Sequence, residues 1–211
     1  MDEYALSPMR RVGVMGGTFD PLHVGHLVIA SEALNEFQLD RIVFMPTGHP
    51  WQKLSYSDPE DRYLMTVLGT SGHPKFTVSR MELDRRGPTY TADTMRDLSS
   101  FHGPGTELFF IVGADAVLKL GTWERIEKLG EYATVIAITR PGFDLTGLRP
   151  EATWPRVEIM SSPPVDISST EVRRRVNEGR PIDYLVPAEV VSYIKERGLY
   201  VGGEEIHDAA G

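Results

Sequence analysis

The segment from residue 16 to residue 26 carries the residue types best suited to chemistry, and it reads Gly-Gly-Thr-Phe-Asp-Pro-Leu-His-Val-Gly-His. Gly16 and Gly17 allow the backbone to turn sharply and to approach a ligand closely, because glycine has no Cβ atom. His23 and His26 are three positions apart, so at the start of a helix they lie on adjacent parts of one face. The unpaired N–H groups of such a helix start favour phosphate. The segment therefore predicts a phosphate-binding site with two imidazole rings.

Two other interpretations of this segment remain open at this stage. The glycines could form a turn and the histidines could satisfy local hydrogen bonds, with Gly25 leaving room for a bulky group near the backbone. The histidine pair could also bind zinc, but a zinc site needs further ligands. The chain has no cysteine, and its other histidines are scattered: His49, His73, His102 and His207. The zinc interpretation is therefore the weaker one.

A second group of polar residues opens a predicted helix near the C-terminus, with the sequence Asp-Ile-Ser-Ser-Thr-Glu-Val-Arg over residues 166–173. Ser168 and Glu171 have the spacing of a capping box, which by itself is a structural feature. The alternative is an anion site in which hydroxyl groups, the helix N-terminus and Arg173 converge on a negative charge. The hydroxyl groups belong to Ser168, Ser169 and Thr170. The residues alone support both interpretations equally.

Further candidate residues follow predicted strands or open predicted helices. Asp115 comes just after a strongly apolar run, where a carboxylate can accept hydrogen bonds from a ribose. Trp123, taken alone, is best interpreted as a core or hinge aromatic residue, and the threonines near position 90 as helix caps. The full set outside the two segments above is Thr47, Lys53, Thr89, Tyr90, Thr91, Gly113, Asp115 and Trp123.

The elements that must position these residues are short apolar strands alternating with helical segments. The predicted strands cover residues 11–15, 41–45, 76–80, 107–112, 133–139 and 157–160. The predicted helices cover residues 24–37, 60–68, 90–98, 169–178 and 187–197. In the second of these helices the apolar stripe is expected to consist of Tyr63, Leu64, Val67 and Leu68. The alternation predicts an α/β fold with a mostly parallel sheet, helices on both faces and a small C-terminal helical part.

Length and composition limit the class of protein. The 211 residues predict a single domain over 1–211, with a core over 11–165, a C-terminal helical part over 166–200 and a flexible tail over 201–211. The net charge of −8 excludes a general nucleic-acid coat but allows a small anionic ligand at a local site. Without cysteine there is no disulfide scaffold, thiolate zinc site or cysteine nucleophile.

The N-terminus lacks the apolar region of a secretory signal, and no apolar run approaches the roughly 20 residues of a membrane span. We therefore expect a cytoplasmic protein without nucleic-acid or membrane partners. The sequence leaves open whether the chain forms a homo-oligomer.

The motifs together resemble the nucleotidyltransferase superfamily with the H-x-G-H motif, and within it the bacterial nicotinate-mononucleotide adenylyltransferase family. The resemblance covers about residues 11–199 and rests on five motifs in family order. It implies a Rossmann-like sheet and an enzyme that transfers AMP from ATP to nicotinate mononucleotide, giving deamido-NAD and pyrophosphate in NAD biosynthesis. Mg²⁺ would accompany ATP, and no protein residue is expected to bind a metal.

The resemblance also implies a role for each candidate residue. The charge-stabilising catalytic set is His23, His26, Lys53 and Arg173. The ATP-binding set is Gly16, Gly17, Thr18, Phe19, His23, Gly25, His26, Gly113, Asp115, Ser168, Ser169, Thr170 and Arg173. The mononucleotide-binding set is Thr47, Lys53, Thr89, Tyr90, Thr91 and Trp123, with the indole stacked on the pyridine ring.

The chain departs from the family pattern at two places. Glu124 stands where the family often has tyrosine, and Trp51 and Gln52 replace a proline and a histidine before Lys53. The alternatives are another enzyme of the superfamily, acting on phosphopantetheine or nicotinamide mononucleotide, and a nucleotide sensor without turnover. The run at residues 90–94 and Trp123 argue against phosphopantetheine.

Overall fold

A computed structural model describes residues 10–48, 57–139 and 152–202. The strands are β1 (Arg11–Gly17), β2 (Arg41–Pro46), β3 (Phe76–Val78), β4 (Glu107–Gly113), β5 (Ala133–Thr139) and β6 (Val157–Ser161). The helices are α1 (Val24–Glu36), α2 (Pro59–Thr70), α3 (Thr91–His102), α4 (Ala114–Leu118), α5 (Ile126–Leu129), α6 (Ser169–Asn177) and α7 (Ala188–Arg197). A turn of 3-10 helix covers Leu120–Thr122. Lys53 and most of the predicted tail lie outside the described residues.

The six strands form one sheet in the order β3-β2-β1-β4-β5-β6. Strand β4 pairs in parallel with β1 and with β5, and β5 pairs in parallel with β6. The predicted α/β fold with a mostly parallel sheet is therefore confirmed. The strand order reverses direction at β1, and in open sheets of this kind ligands bind beyond the carboxyl end of the strand at the reversal. In this chain that end is the glycine pair of the first motif.

Two short helices were not predicted from the sequence. Helices α4 (Ala114–Leu118) and α5 (Ile126–Leu129) each make little more than one turn. An apolar stripe needs about two turns to show its period, so such helices leave no clear pattern in the sequence.

The predicted apolar stripe of α2 is only partly confirmed, because Leu68 packs against the buried core whereas Leu64 is exposed. Leu64 is 41% exposed, whereas Arg62 and Thr66 are completely buried next to Met65. Most atoms of these buried polar groups have hydrogen-bond partners, and the Thr66 hydroxyl, for example, donates to the carbonyl of Arg62 at 2.7 Å, whereas Arg62 Nε has no partner among the described residues. Burial of a polar side chain is tolerated when its hydrogen bonds are made, and this option is invisible to a search for apolar periodicity.

The packing divides the chain into two units. The first unit comprises the described residues 10–15, 30–43, 90–139 and 152–163, and the second comprises the described residues 16–29, 44–48, 57–89 and 164–202. No helix in the described part of the chain is both long and apolar enough to cross a bilayer.

The core of the first unit is built from the central strands. Val12 and Val14 of β1 and Val135 and Ile136 of β5 are completely buried. Gly13 lies between Val12 and Val14 in β1. A Cβ atom at this position would come within 2.6 Å of Ile42 Cδ1 and 2.8 Å of Leu39 Cδ1. A side chain at position 13 would therefore displace the aliphatic side chains that pack on β1.

The core of the second unit joins α6 and α7 to α2. Its buried members are Met65, Val172, Ile182, Val186, Val190, Val191 and Ile194. Gly69 lets this packing close, because a Cβ atom there would lie 2.4 Å from Leu22 Cδ2 and 3.2 Å from Val190 Cγ2. The C-terminal helices thus share a core with the helix that follows β2 in the chain.

Candidate active site

Phe19 shapes the turn between β1 and α1. Its backbone is left-handed, with φ at 51°, and its side chain is only 2% exposed. The ring lies beneath Gly17, where a Cβ atom would come within 2.9 Å of Phe19 Cε1. The same ring contacts His26 edge-on at 5.1 Å and Phe44 at 5.8 Å between centroids. The absence of a side chain at Gly17 therefore lets the Phe19 ring pack under the loop and against His26.

The two histidines of the motif are stacked on each other. Their ring centroids are 3.7 Å apart, with an angle of 30° between the planes. The backbone N–H of His23 donates to Nδ1 of His26 at 3.2 Å, and the N–H of His26 donates to the carbonyl of His23 at 3.0 Å. Because Nδ1 of His26 accepts a hydrogen bond, the proton of the neutral ring lies on Nε2. His26 is thus oriented with Nε2 as a donor.

Gly25 lies directly against the ring of His23. A Cβ atom at position 25 would lie 3.0 Å from His23 Nδ1 and 3.1 Å from Cε1. The bulky group near this glycine in the structure is therefore the neighbouring imidazole ring. His23 is only 4% exposed, and His26 is half-buried.

The predicted set of free N–H groups at the start of α1 is smaller than the sequence suggests. The N–H of Val24 donates to the carbonyl of Leu185 at 2.9 Å, and that of His26 is used within the motif. These two groups are therefore engaged in hydrogen bonds within the protein.

The start of α6 is tied directly to the histidine loop. Arg173 Nη1 donates to the carbonyl of Asp20 at 2.8 Å, across 153 positions of the chain. The Ser169 hydroxyl donates to the carbonyl of Pro21 at 2.9 Å. Arg173 Nη2 also donates to the hydroxyl of Thr170 at 3.2 Å. Two motifs that the sequence could only treat separately are thus held together in the second unit.

Ser168 caps α6 as the spacing predicted. Its Oγ accepts the N–H of Glu171 at 3.1 Å. The Glu171 carboxylate pairs with Arg174 and Arg175, and these hydrogen bonds lower the pKa of that carboxyl group. The negative charge nearest the helix start is therefore neutralised by its own helix, which leaves Arg173 as a cation facing the loop.

The Asp20 carboxylate is a buried anchor that the sequence analysis did not include in the site. The side chain is 2% exposed and accepts hydrogen bonds from the Tyr200 hydroxyl at 2.6 Å and from the N–H of Ser57 at 3.2 Å. Burial, together with the charge of Asp20, raises the pKa of Tyr200 well above its usual value. No local pattern marks this pair, since the two residues are 180 positions apart.

Thr47 joins the end of β1 from the loop after β2. Its N–H and its hydroxyl both donate to the carbonyl of Gly17, at 2.9 Å and 3.3 Å. Arg62, which the sequence analysis also missed, donates to the carbonyl groups of Thr18 and Thr47 at 3.0 Å and 2.7 Å. One sequence signal could have identified Arg62: it is an arginine in α2, a helix in which the apolar residues do not follow a regular helical period.

Two candidate residues of the first unit, Tyr90 and Thr91, lie at the start of α3. Tyr90 occupies the N-cap position, and the guanidinium of Arg125 lies 4.9 Å from the centre of its ring. Arg125 also pairs with Asp93 at 2.5 Å. Thr91 begins the helix and Thr89 precedes it, both half-buried.

Trp123 is half-buried in the same unit, and its ring packs edge-on against Phe110 at 5.9 Å. Gly113 ends β4, and a Cβ atom there would come within 2.5 Å of Asp115 Oδ1. The exposed carboxylate of Asp115 is therefore folded back over the strand end.

The described donors suit phosphate better than a metal ion. The histidine loop and the start of α6 offer imidazole, guanidinium and hydroxyl groups, while the Asp20 carboxylate is occupied by Tyr200 and Ser57. In the part of the chain that the structure describes, no group of three His, Asp or Glu side chains is placed to hold a metal ion.

Comparisons with known proteins find similar sequences over most of this chain. The cytidylyltransferase-like family matches residues 14–175. A protein of Clavibacter sepedonicus named probable nicotinate-nucleotide adenylyltransferase is 52% identical over 93% of this chain and 96% of its own length. A protein of the same name from Saccharopolyspora erythraea is 51% identical over 95% of this chain and 94% of its own length.

A solved structure shares the fold. Plasmodium falciparum nicotinic acid mononucleotide adenylyltransferase complexed with NaAD matches with a TM-score of 0.72 at 21% identity, over 90% of this chain and 97% of that chain. At this identity the likeness concerns the fold alone.

Proposed function

The chain belongs to the cytidylyltransferase-like family, and from this premise we propose that it transfers AMP from ATP to nicotinate mononucleotide, producing deamido-NAD and pyrophosphate. The observation that carries the reaction type is the tie between the histidine loop and Arg173 at the start of α6. The choice of substrate is supported by the names of relatives that are 51% and 52% identical over nearly their whole length.

The reaction needs no nucleophilic side chain. A phosphate oxygen of the mononucleotide attacks the α-phosphorus of ATP and forms the new P–O bond. The bond from that phosphorus to the bridging oxygen breaks, and pyrophosphate leaves with the bonding electrons. Because the nucleophile is already anionic, the protein contributes positioning and electrostatic stabilisation of the charge that develops on the phosphate oxygens.

The charge-stabilising groups in this proposal are His23, His26, Lys53 and Arg173. His26 would donate from Nε2, because its Nδ1 is occupied by the N–H of His23. Arg173 reaches the loop through the carbonyl of Asp20, so its guanidinium is held before ATP binds. Glycines 16 and 17 and the residues Thr18, Phe19 and Gly25 would shape the phosphate cradle.

The remaining ATP contacts are assigned to the α6 hydroxyl groups and to the end of β4. Ser168, Ser169 and Thr170 surround the N-terminus of α6, where the helix dipole favours an anion. Asp115 and Gly113 would bind the ribose side of ATP.

The mononucleotide is assigned to the residues around the start of α3 and the loop after β2. Trp123 would stack on the pyridine ring, and Thr89, Tyr90 and Thr91 would meet its carboxylate, with Thr47 and Lys53 on the phosphate side. Arg125 adds a positive charge next to Tyr90, although Asp93 offsets part of it. A cation at this place favours the acid over the amide.

Mg²⁺ is expected to arrive with ATP. The donors described above fit phosphate oxygens, so the ion would be held by those oxygens and by water, as is usual for Mg²⁺ with nucleotides. When bound it neutralises part of the triphosphate charge. We place the reaction in the cytoplasm, in keeping with a cysteine-free chain.

The experiment that tests the proposal is product analysis with ATP and Mg²⁺. Nicotinate mononucleotide, nicotinamide mononucleotide and phosphopantetheine are offered in parallel, and pyrophosphate release is measured with the identity of the product. We expect deamido-NAD to form fastest. Faster turnover of either other substrate would replace the proposal by the corresponding enzyme, and ATP binding without any product would indicate a sensor.

A further inference from the structure

Arg62 is the largest completely buried side chain in the described part of the chain, and it lies on α2. Its guanidinium donates to three backbone carbonyl groups. Nη1 donates to Thr18 at 3.0 Å and to Thr47 at 2.7 Å, and Nη2 donates to Gly48 at 3.0 Å. One side chain thus joins two loops, the one after β1 and the one after β2.

A buried guanidinium is costly unless its hydrogen bonds are made. Here Nη1 and Nη2 of Arg62 make theirs, while Nε is buried without a partner among the described residues. The fork of two nitrogen atoms that reaches both loops is specific to arginine. Burial lowers the pKa of Arg62, while the charge of the Asp20 carboxylate opposes the shift, and the group remains a cation at neutral pH. Lysine has a single ammonium group and cannot span carbonyl groups on two loops in the same planar geometry.

The carbonyl group of Thr18 is at a strained point of the first loop. The next residue, Phe19, has a left-handed backbone and supports the ring of His26. A hydrogen bond to the preceding carbonyl therefore restrains the turn that orients this imidazole. The strain needs such a restraint, because a non-glycine residue leaves the left-handed region readily when its surroundings allow.

The second loop is held from two sides. Thr47 donates to the carbonyl of Gly17, while its own carbonyl group accepts from Arg62. At Gly48 a Cβ atom would come within 2.4 Å of the carbonyl oxygen of Glu82, so this residue is pressed between the guanidinium and another backbone segment. The position of the second loop therefore depends on Arg62.

We propose that Arg62 is a positioning residue for the transfer reaction, and that it fixes the loop at residues 16–20 and the loop at residues 47–48 through their carbonyl groups. This role rests on the proposed function, in which these loops bind ATP phosphates and the mononucleotide. Arg62 itself touches neither substrate, since its side chain is buried behind the backbone of both loops.

The test compares the Arg62→Lys and Arg62→Gln variants with the wild-type protein. The matched control is Tyr193→Phe, which removes a hydrogen bond of 2.7 Å to Asp61, the neighbour of Arg62 on α2. Three readouts are taken well below the melting temperature of every variant. They are steady-state kcat and KM, the Kd of ATP by calorimetry, and amide hydrogen exchange along the chain.

If Arg62 positions the loops, exchange in Arg62→Lys rises within residues 16–20 and 44–48 more than in the rest of the second unit. ATP binds about tenfold more weakly, and kcat falls by about ten- to a hundredfold, the scale expected from a displacement of about 1 Å at the reacting atoms. Tyr193→Phe lowers the melting temperature but keeps kcat, KM and the exchange of both loops.

Several results would overturn the inference. One is wild-type kcat, ATP affinity and loop exchange in Arg62→Lys. Another is a uniform rise in exchange that matches Tyr193→Phe. A third is failure of both Arg62 variants to fold where the control folds, which would make Arg62 a general structural residue. If the wild-type protein makes no deamido-NAD, the proposed function fails, and ATP affinity and loop exchange still decide the role of Arg62.

Discussion

At the scale of single residues, contacts within the short motif fix the orientation of the His26 ring. The ring of His23 packs against Gly25, and the N–H of His23 donates a hydrogen bond to Nδ1 of His26. The motif therefore leaves His26 with one defined donor atom. This orientation needs no residue outside the loop, whereas the support under His26 comes from Phe19.

The substitution His26→Ala is expected to lower kcat by about two orders of magnitude or more, because loss of one oriented donor to a developing oxyanion has that effect. We expect a similar fall in kcat for His23→Ala, and because His23 is buried this substitution also leaves a cavity. Purified variants are assayed for pyrophosphate release, and circular dichroism checks that they are folded.

The matched control is His73→Ala. His73 stacks on Phe76 at 4.0 Å and is not part of the motif, so its removal should leave turnover unchanged. Turnover near the wild-type value in both motif variants would exclude a catalytic role for the pair.

At the scale of elements, α6 combines a structural cap with a proposed phosphate contact. Ser168 Oγ accepts the N–H of Glu171, while Ser169 and Arg173 bind the carbonyl groups of the histidine loop. A helix cap and an anion site differ in the charge that they accept. Both can use a hydroxyl group, but a carboxylate can serve as a cap and would repel a bound anion. A substitution can therefore separate them.

We expect Ser168→Ala to lower the free energy of unfolding by about 1 kcal/mol, the usual loss of a helix cap. Ser168→Asp should retain most of the stability, because aspartate caps well and its charge suits the helix dipole. The same variant should raise the KM for ATP at least tenfold through repulsion of the phosphates. Urea denaturation and steady-state kinetics measure the two effects.

Ser192→Ala on α7 serves as the control, because its hydroxyl donates only within its own helix, to Ala188. A wild-type KM for ATP in Ser168→Asp would mean that the start of α6 is a cap and not a phosphate site.

At the scale of the whole molecule, two tyrosines link stability to alkaline pH. Burial and a hydrogen bond to Asp61 raise the pKa of Tyr193 to about 12. Burial next to Asp20 raises the pKa of Tyr200 as well. Between pH 10 and 12 the unfolded chain releases these protons while the folded chain keeps them. The unfolded state then binds fewer protons, so this contribution to stability is fully present below pH 10. It is lost as the pH rises through the folded-state pKa of each tyrosine, which for Tyr193 is about 12.

The prediction is that the free energy of unfolding, measured in urea between pH 8 and 11.5, falls more steeply in the wild-type protein than in Tyr193→Phe. Tyr184→Phe is the control, because Tyr184 is 93% exposed and should leave the slope unchanged. Parallel curves for all three proteins would show that the pKa of the Tyr193 hydroxyl is the same in the folded and unfolded states.

The net charge of −8 also acquires a clearer meaning at this scale. The proposed ligands are polyanions, and the described groups around the histidine loop are imidazole, guanidinium and hydroxyl. The Asp20 carboxylate accepts a hydrogen bond from Tyr200, and Glu171 is paired with Arg174. The prediction from net charge, which argues against a nucleic-acid coat, therefore has no bearing on the binding of a nucleotide.

The sequence by itself determined the features that depend on near neighbours. The strands, the longer helices, the cap at Ser168 and the glycine–histidine turn all follow from periodicity or from hydrogen bonds within a few residues. The tertiary structure alone decided which polar groups are buried and which partners they meet. Arg62, Tyr200 and the tie from Arg173 to Asp20 could not be predicted, because the free energy of burying a polar side chain depends on partners far along the chain.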